Sequence, residues 1–256
     1  MQSGFIEAAG HQLEYRLIPA HQVNRPTLVF LHEGLGSLAM WRDFPAQVAA
    51  ATGCRTLAYS RYGYGESDVL GESFTVRYMH DEALVALPAL LDKLGIDRPV
   101  LVGHSDGGSI ALIHAGGAGR EVAGLILMAP HVFVEDLSIA SIAQAKVAFE
   151  TTDLGQKLGK YHRDPVKTFR GWNDIWLHPD FRAWNIEEVL PHVTCPVLAI
   201  QGEDDEYGTP AQVEAIRRQA KGEVEVLMLA DCRHSPHKDQ PQATLEAMAE
   251  FIERIG

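Results

Sequence analysis

Short apolar runs alternate with amphipathic stretches along most of this chain. A turn at Ala9 and Gly10 separates two short strand-like runs, residues 5–6 and 13–17, and indicates a hairpin. Further runs that predict strands lie at residues 28–31, 54–59, 99–102, 122–128, 195–200 and 224–229. Helices are predicted at residues 40–51, 76–94, 109–115, 210–220 and 242–255. This alternation predicts an α/β fold with a doubly wound, mostly parallel, eight-stranded sheet.

The interval between the sixth and seventh predicted strands departs from this alternation. Residues 131–194 contain no convincing strand, and helical patterns occupy residues 137–150, 152–159, 165–178 and 181–189. We therefore expect residues 1–130 and 195–256 to form one core domain, with residues 131–194 inserted as a helical segment. The segment holds three of the four tryptophans, Trp172, Trp176 and Trp184.

Charge and composition argue against several classes of function. The 256-residue chain has a formal net charge of −12 and no basic cluster. Nucleic-acid binding is therefore not expected, because phosphate affinity comes mainly from Lys and Arg. No apolar run is long enough to predict a membrane span, and no signal peptide is recognisable. The three cysteines, Cys54, Cys195 and Cys232, form no close pair. We expect a cytoplasmic protein with reduced thiols, as a monomer or homodimer.

A serine between a predicted strand and a predicted helix is the strongest candidate for chemistry. Ser105 is the centre of Gly103-His104-Ser105-Asp106-Gly107, and in this context Gly-x-Ser-x-Gly indicates a nucleophile. A very tight strand-to-helix turn strains the serine backbone and leaves no room for side chains two residues away. The pattern alone also fits an ordinary glycine-rich turn, but the predicted strand before it and the predicted helix after it favour a nucleophile.

A serine alcohol needs a base, a group that orients the base, and donors for the oxyanion. The acidic run at residues 203–206 follows the predicted strand at residues 195–200, and His234 follows the one at residues 224–229. One of these carboxylates and His234 are therefore candidates to reach Ser105 at one edge of the sheet.

These features resemble the α/β-hydrolase superfamily over nearly the whole chain. The superfamily orders its triad serine, acid, histidine. Its acid usually stands in Gly-x-x-Asp, which selects Asp205 over Asp204, and its base precedes a proline-containing stretch, which selects His234 over His237. The resemblance thus implies a Ser-His-Asp triad.

Two further segments take their interpretation from the same resemblance. Residues 59–68 are similar to the superfamily's Arg-x-Gly-x-Gly-x-Ser segment, which shapes the loop under the site. The superfamily inserts its cap after the sixth strand, so residues 131–194 are expected to form a helical cap.

The loop expected to hold the oxyanion departs from the superfamily's His-Gly-x-x-Gly. Residues 32–36 read His-Glu-Gly-Leu-Gly, with Glu33 in place of the usual glycine. Alignment of His32 with the superfamily's histidine implies that the Gly34 amide faces the oxyanion. The second donor implied is the amide of Asp106, the residue directly after the nucleophile. For Glu33 two interpretations remain: a loop carboxylate that pairs with Arg61 or caps a turn, or a charge at the mouth of the site that influences substrate choice.

Four residues are candidates for the wall of a substrate pocket, namely Leu35, His131, Trp172 and Trp176. Trp172 and Trp176 are four residues apart and so share one helical face. Each tryptophan either packs the cap onto the core or lines the pocket. His131 either lines the pocket or is a hydrogen-bonded loop histidine.

The predicted function is hydrolysis of a carboxylic ester or lactone of a small molecule, with no cofactor and no metal. Serine at this position argues against haloalkane dehalogenases and epoxide hydrolases, which resemble this fold but use aspartate. One alternative is a carbon–carbon bond hydrolase of ring-fission diketones. Such anionic substrates call for basic residues in the cap pocket, for which Arg163, Arg170 and Arg182 are candidates. Another alternative is a non-catalytic ligand receptor on the same fold.

Overall fold

One eight-stranded sheet organises the computed structural model, which describes residues 1–22 and 24–256. Its strands are β1 (Gln2–Ala8), β2 (His11–Ile18), β3 (Leu28–Leu31), β4 (Thr56–Tyr59), β5 (Val100–His104), β6 (Gly124–Met128), β7 (Val197–Gly202) and β8 (Val224–Leu229). Their spatial order is β1-β2-β4-β3-β5-β6-β7-β8. The β1–β2 and β2–β4 pairs are antiparallel, and the remaining pairs are parallel. The predicted fold class is confirmed.

The helices follow the predicted alternation, with several differences that include an additional short helix at residues 236–239 and a later start, after a 3₁₀ turn at residues 39–41, of the helix predicted at residues 40–51. They are α1 (Phe44–Thr52), α2 (Tyr78–Asp81), α3 (Leu87–Lys93), α4 (Asp106–Gly117), α5 (Asp136–Thr151), α6 (Leu154–Leu158), α7 (Pro165–Trp176), α8 (Ala211–Gln219), α9 (Pro236–Asp239) and α10 (Pro241–Ile255). A π-helical segment, Glu82–Ala86, joins α2 to α3 within the predicted helix 76–94. The helix predicted at residues 181–189 is wrong. Two 3₁₀ turns, Pro179–Ala183 and Glu187–His192, occupy this region because Trp184 has an extended backbone that ends the first.

The hydrophobic core lies on both faces of the sheet, and β5 shows how its sequence fits this arrangement. Leu101 packs into a cluster with residues of α2 to α4, whereas Val100 and Val102 pack into a cluster with residues of α1 and α10. All three side chains are fully buried. A strand that is buried on both faces reads as a continuous apolar run. This burial fixes the end of β5, from which Ser105 projects.

Residues 131–194, here called the inserted segment, connect β6 to β7 through α5, α6, α7 and the two 3₁₀ turns. The rings of Phe149 and Phe169 stack with centroids 3.9 Å apart, and Asn173 Nδ2 donates a hydrogen bond to the carbonyl of Ile142 at 2.9 Å. These contacts fix α5 against α7. Among the described residues, no helix combines the length and apolarity needed to cross a membrane.

Candidate active site

The turn between β5 and α4 holds Ser105 in a strained backbone conformation. Its φ and ψ are 53° and −119°, in a region that costs a non-glycine residue free energy and is found mainly at functional sites. A Cβ on Gly103 would lie 2.3 Å from the Gly107 carbonyl oxygen, and one on Gly107 would lie 2.0 Å from that of Leu31. Both glycines are therefore required by the close approach of neighbouring backbone.

The ends of β5, β7 and β8 bring the three predicted triad residues together. His234 Nε2 lies 2.9 Å from Ser105 Oγ, and His234 Nδ1 lies 2.8 Å from Asp205 Oδ1. Because an ionised carboxylate can only accept, Nδ1 carries the proton and Nε2 is free to accept the serine proton. The arrangement has the connectivity of a nucleophile, a base and a carboxylate that orients the base.

Asp205 is held in place by its neighbours. Its Oδ2 accepts a hydrogen bond from Gln201 Nε2 at 2.7 Å, and Oδ1 accepts one from the Tyr207 amide at 2.8 Å. Burial acts to raise the pKa of the Asp205 carboxyl, but the hydrogen bond and charge of His234 and the Tyr207 amide outweigh it and lower the pKa. Asp205 is therefore ionised at neutral pH, whereas Asp204 is exposed.

The loop after β3 is fixed by its own carbonyl groups. The Glu33 carbonyl accepts hydrogen bonds from the Gly36 amide at 3.0 Å, from His32 Nδ1 at 2.8 Å and from the Arg61 guanidinium at 2.9 Å. Arg61 is 2% exposed, so the segment at residues 59–68 does lie under this loop. Within the described part of the chain, the Gly34 amide donates no hydrogen bond, which leaves it available to a ligand.

A buried histidine that the sequence did not single out also supports this loop. His162 lies in the inserted segment, and its Nε2 donates a hydrogen bond to the Leu35 carbonyl at 3.0 Å. Its Nδ1 accepts a hydrogen bond from the Gly65 amide at 2.9 Å. A lone histidine in a helical insertion carries no sequence signal for this role. The contact ties the inserted segment to the loop of Gly34.

The interpretation that the Glu33 carboxylate pairs with Arg61 is wrong, because Arg61 contacts the Glu33 carbonyl instead. The carboxylate lies 3.4 Å from His104 Nδ1 and 3.6 Å from Lys238 Nζ, and the side chain is 17% exposed. Burial acts to raise the pKa of the Glu33 carboxyl, but the contact with His104, reinforced by Lys238, holds it well below its usual value. The negative charge beside the expected oxyanion position is therefore compensated.

His104 connects Glu33 to the catalytic candidate His234. Because a carbonyl oxygen can only accept, His104 Nε2 donates to the His234 carbonyl, at 2.7 Å. The other ring nitrogen faces Glu33. The loop after β3 is thus linked through one imidazole to the backbone of His234.

Asp106 begins α4, and its amide donates no hydrogen bond within the described ranges 1–22 and 24–256. Its side chain is fully buried and accepts a hydrogen bond from Tyr78 Oη at 2.6 Å. Trp176 Nε1 in turn donates to Tyr78 Oη at 3.0 Å. Burial raises the pKa of the Asp106 carboxyl above its usual value. This hydrogen-bond chain joins α7 to the first turn of α4.

A cavity of about 120 Å³ lies beside Ser105. Its wall includes the four predicted pocket residues, Leu35, His131, Trp172 and Trp176, together with Glu33, Gly34, Ile142, Tyr207 and others. His131 is 2% exposed. Burial, followed by the charge of His234, lowers the pKa of His131 to about 3, so its ring is neutral at pH 7. The candidate arginines Arg163, Arg170 and Arg182 do not line this cavity.

Comparison with known proteins agrees with this fold. Residues 28–247 match the alpha/beta hydrolase family. The proline iminopeptidase of Saccharolobus solfataricus is 24% identical, over 100% of this chain and 93% of that protein. Human monoglyceride lipase is 25% identical, over 85% of this chain and 78% of that protein. A carboxylesterase structure from Nitrososphaera gargenis superposes with a TM-score of 0.78 at 18% identity, over 98% of both chains, which is a likeness of fold. The chain belongs to the alpha/beta hydrolase family.

Proposed function

We propose that this protein is a serine hydrolase that cleaves small carboxylic esters or lactones through an acyl-enzyme. The observation that carries the proposal is the hydrogen-bonded series Ser105, His234, Asp205 at 2.9 and 2.8 Å, which opens into a small cavity. Acyl transfer requires a nucleophile within hydrogen-bond distance of a base, and a third group that orients the base.

The proposed reaction assigns each step to a residue of the site. Ser105 Oγ attacks the ester carbonyl carbon while His234 Nε2 accepts its proton, and the Asp205 carboxylate stabilises the resulting imidazolium. The amides of Gly34 and Asp106 donate to the oxyanion; the loss of one such donor typically costs about 3–4 kcal/mol. His234 then protonates the leaving alcohol. Water, deprotonated by His234, attacks the acyl-enzyme and releases the acid and Ser105.

The size of the cavity favours a short acyl group. Its volume of about 120 Å³ is well below the ~300–1,000 Å³ of pockets that bind drug-sized ligands. The rate of hydrolysis is therefore expected to fall once the acyl chain exceeds about four or five carbons. Longer chains must displace side chains of the inserted segment such as Trp172 and Trp176.

The polar groups of the cavity favour a neutral substrate over a charged one. A ring-fission diketone is anionic, but Arg163, Arg170 and Arg182 do not line the cavity. A free amino group, as in a substrate of the iminopeptidase relatives, would need an available carboxylate. Glu33 is already compensated by His104 and Lys238.

A panel of substrates tests the proposal. Hydrolysis of 4-nitrophenyl esters from acetate to octanoate would be measured beside γ-butyrolactone, a vinylogous diketone and proline 4-nitroanilide, with Ser105→Ala as the control. We expect the short esters to give the highest kcat/KM, and Ser105→Ala to abolish turnover without lowering the melting temperature. A preference for the diketone or the anilide, or Ser105→Ala activity within tenfold of wild type, would reject the proposal.

A further inference from the structure

One wall of the active-site cavity carries a hydrogen-bond donor without a partner. Trp172 is 7% exposed, and its Nε1–H donates to no residue in the described part of the chain. By contrast, Trp176 Nε1 donates to Tyr78. Among the same described residues, the Nε1 atoms of Trp41 and Trp184 also lack partners, but they are fully buried and do not line the cavity.

The position of this donor is defined by Gly34. A Cβ on Gly34 would lie 2.1 Å from Trp172 Nε1 and 2.3 Å from Cδ1, so the indole nitrogen occupies the space beside the Gly34 α-carbon. In the proposed function the Gly34 amide binds the carbonyl oxygen of the substrate. The carbon next to that carbonyl then lies near the indole N–H.

A second polar group in the same cavity is also unpartnered. His131 lines the cavity with Trp172, and its Nδ1 is buried without a hydrogen-bond partner among residues 1–22 and 24–256. A buried polar group without a partner typically costs about 1–3 kcal/mol. A ligand that covers the Trp172 N–H without offering an acceptor would incur this cost, so the cavity favours a ligand with a polar atom beside the indole.

We propose that Trp172 Nε1–H donates a hydrogen bond to an oxygen on the carbon next to the scissile carbonyl. The preferred substrates are then small esters of 2-alkoxy, 2-hydroxy or 2-oxo acids. This inference rests on the proposed ester hydrolysis and narrows its substrate class. An unsubstituted acyl chain leaves the indole N–H desolvated and unpaired, and a site that hydrogen-bonds its substrate discriminates against the analogue lacking the polar atom.

A matched pair of esters isolates this oxygen. 4-Nitrophenyl methoxyacetate and 4-nitrophenyl butanoate have acyl groups with the same number of heavy atoms, and they differ in one oxygen for one methylene. Their intrinsic reactivities differ, but that difference cancels when the ratio of their kcat/KM values is compared between protein variants. Trp172→Phe removes the N–H and keeps an aromatic ring. Trp184→Phe removes an unpartnered N–H from the same segment, away from the cavity.

We expect Trp172→Phe to lower the methoxyacetate-to-butanoate ratio about tenfold, the effect of one hydrogen bond, and Trp184→Phe to leave the ratio unchanged. An unchanged ratio in Trp172→Phe would overturn the inference and leave the indole as packing. An equal loss on both esters would also overturn it, because the N–H would then serve a group that both esters share.

A binding measurement keeps the inference testable if neither ester is turned over, an outcome that would reject the proposed function itself. In ¹⁵N-labelled Ser105→Ala protein, the Trp172 indole N–H resonance is assigned by its loss in Ser105→Ala/Trp172→Phe. Methoxyacetamide is expected to shift this resonance downfield, and butanamide is expected to shift it less. Equal shifts, or none at concentrations that saturate other cavity resonances, would refute the contact.

Discussion

A methyl group added at Gly34 should disable the site by displacing Trp172. The new Cβ would lie 2.1, 2.3 and 2.9 Å from three atoms of the indole ring. Non-bonded carbon and nitrogen atoms normally approach to about 3.5 Å, so the ring or the loop must retreat by more than about 1 Å. The indole is 7% exposed and lines the active-site cavity, so a displaced ring changes the shape of that cavity.

The expected magnitude follows from these distances. Overpacking of this kind typically costs about 1–3 kcal/mol of stability, and each kcal/mol lowers the melting temperature by about 2–4 °C in a chain of this size. A misplacement of about 1 Å at an oxyanion donor costs about 100-fold in rate. Gly34→Ala is therefore expected to lower kcat on all short esters about 100-fold while the protein remains folded at 25 °C.

Steady-state kinetics and thermal melting check this prediction together. Gly117→Ala is the matched control, because its Cβ would meet Leu84 Cδ2 at an ordinary 3.4 Å. In the double variant Gly34→Ala/Trp172→Phe the smaller ring should recover at least half of the lost melting temperature. A Gly34→Ala protein with wild-type kcat and melting temperature would refute the reasoning, and so would a double variant with no recovery.

Three further changes have defined outcomes. Glu33→Gln should lower kcat about tenfold with little change in KM, because it weakens the contact from Glu33 through His104 to the backbone of His234 and leaves the cavity in place. Lys238 is an exposed partner of Glu33, so Lys238→Met should lower kcat less in the same kinetic assay. Asp205→Asn should lower kcat about 10⁴-fold and Asp204→Asn should stay near wild type, measured on the best ester. The pKa of His131 falls from 6.5 in the unfolded chain to about 3 in the folded protein. Below about pH 6.5 the unfolded chain therefore binds a proton that the folded protein does not, and the free energy of unfolding decreases as the pH is lowered. Between pH 7 and pH 5 this residue should account for about 2 kcal/mol of lost stability, which His131→Gln should remove in urea titrations.

Each of these expectations has an opposing result. A Glu33→Gln effect confined to KM would place this carboxylate in substrate binding. Equal losses in the two aspartate variants would reject the assignment of Asp205. An unchanged pH dependence of unfolding in His131→Gln would show that this ring is not kept neutral by burial.

Local patterns in the sequence were enough for the framework of the fold. β3 and β8 begin and end at the predicted residues, because short apolar runs bounded by polar residues define buried strands. The strand-to-helix context of Ser105 and the strand-end positions of His234 and of the acidic run at residues 203–206 also predicted that these groups meet, since parallel strands end at one edge of the sheet. The choice of Asp205 within that run came from the family resemblance.

Contacts between distant segments were not predictable in this way. Glu33 pairs with Lys238, 238 − 33 = 205 positions away, and His162 of the inserted segment supports the Leu35 carbonyl. No periodicity encodes such pairings, because they depend on how the inserted segment packs over the sheet. The helix predicted at residues 181–189 failed for a local reason, the extended backbone at Trp184.

Covalent labelling of Ser105 tests the central claim most directly. Dimethyl 4-nitrophenyl phosphate transfers its phosphoryl group to an activated serine and cannot complete the acyl cycle. We predict release of one equivalent of nitrophenolate per protein, complete loss of esterase activity, and a dimethylphosphoryl group on the peptide that carries Ser105, with Ser105→Ala unlabelled. Release without modification of Ser105, or equal labelling of Ser105→Ala, would contradict the assignment of Ser105 as the nucleophile.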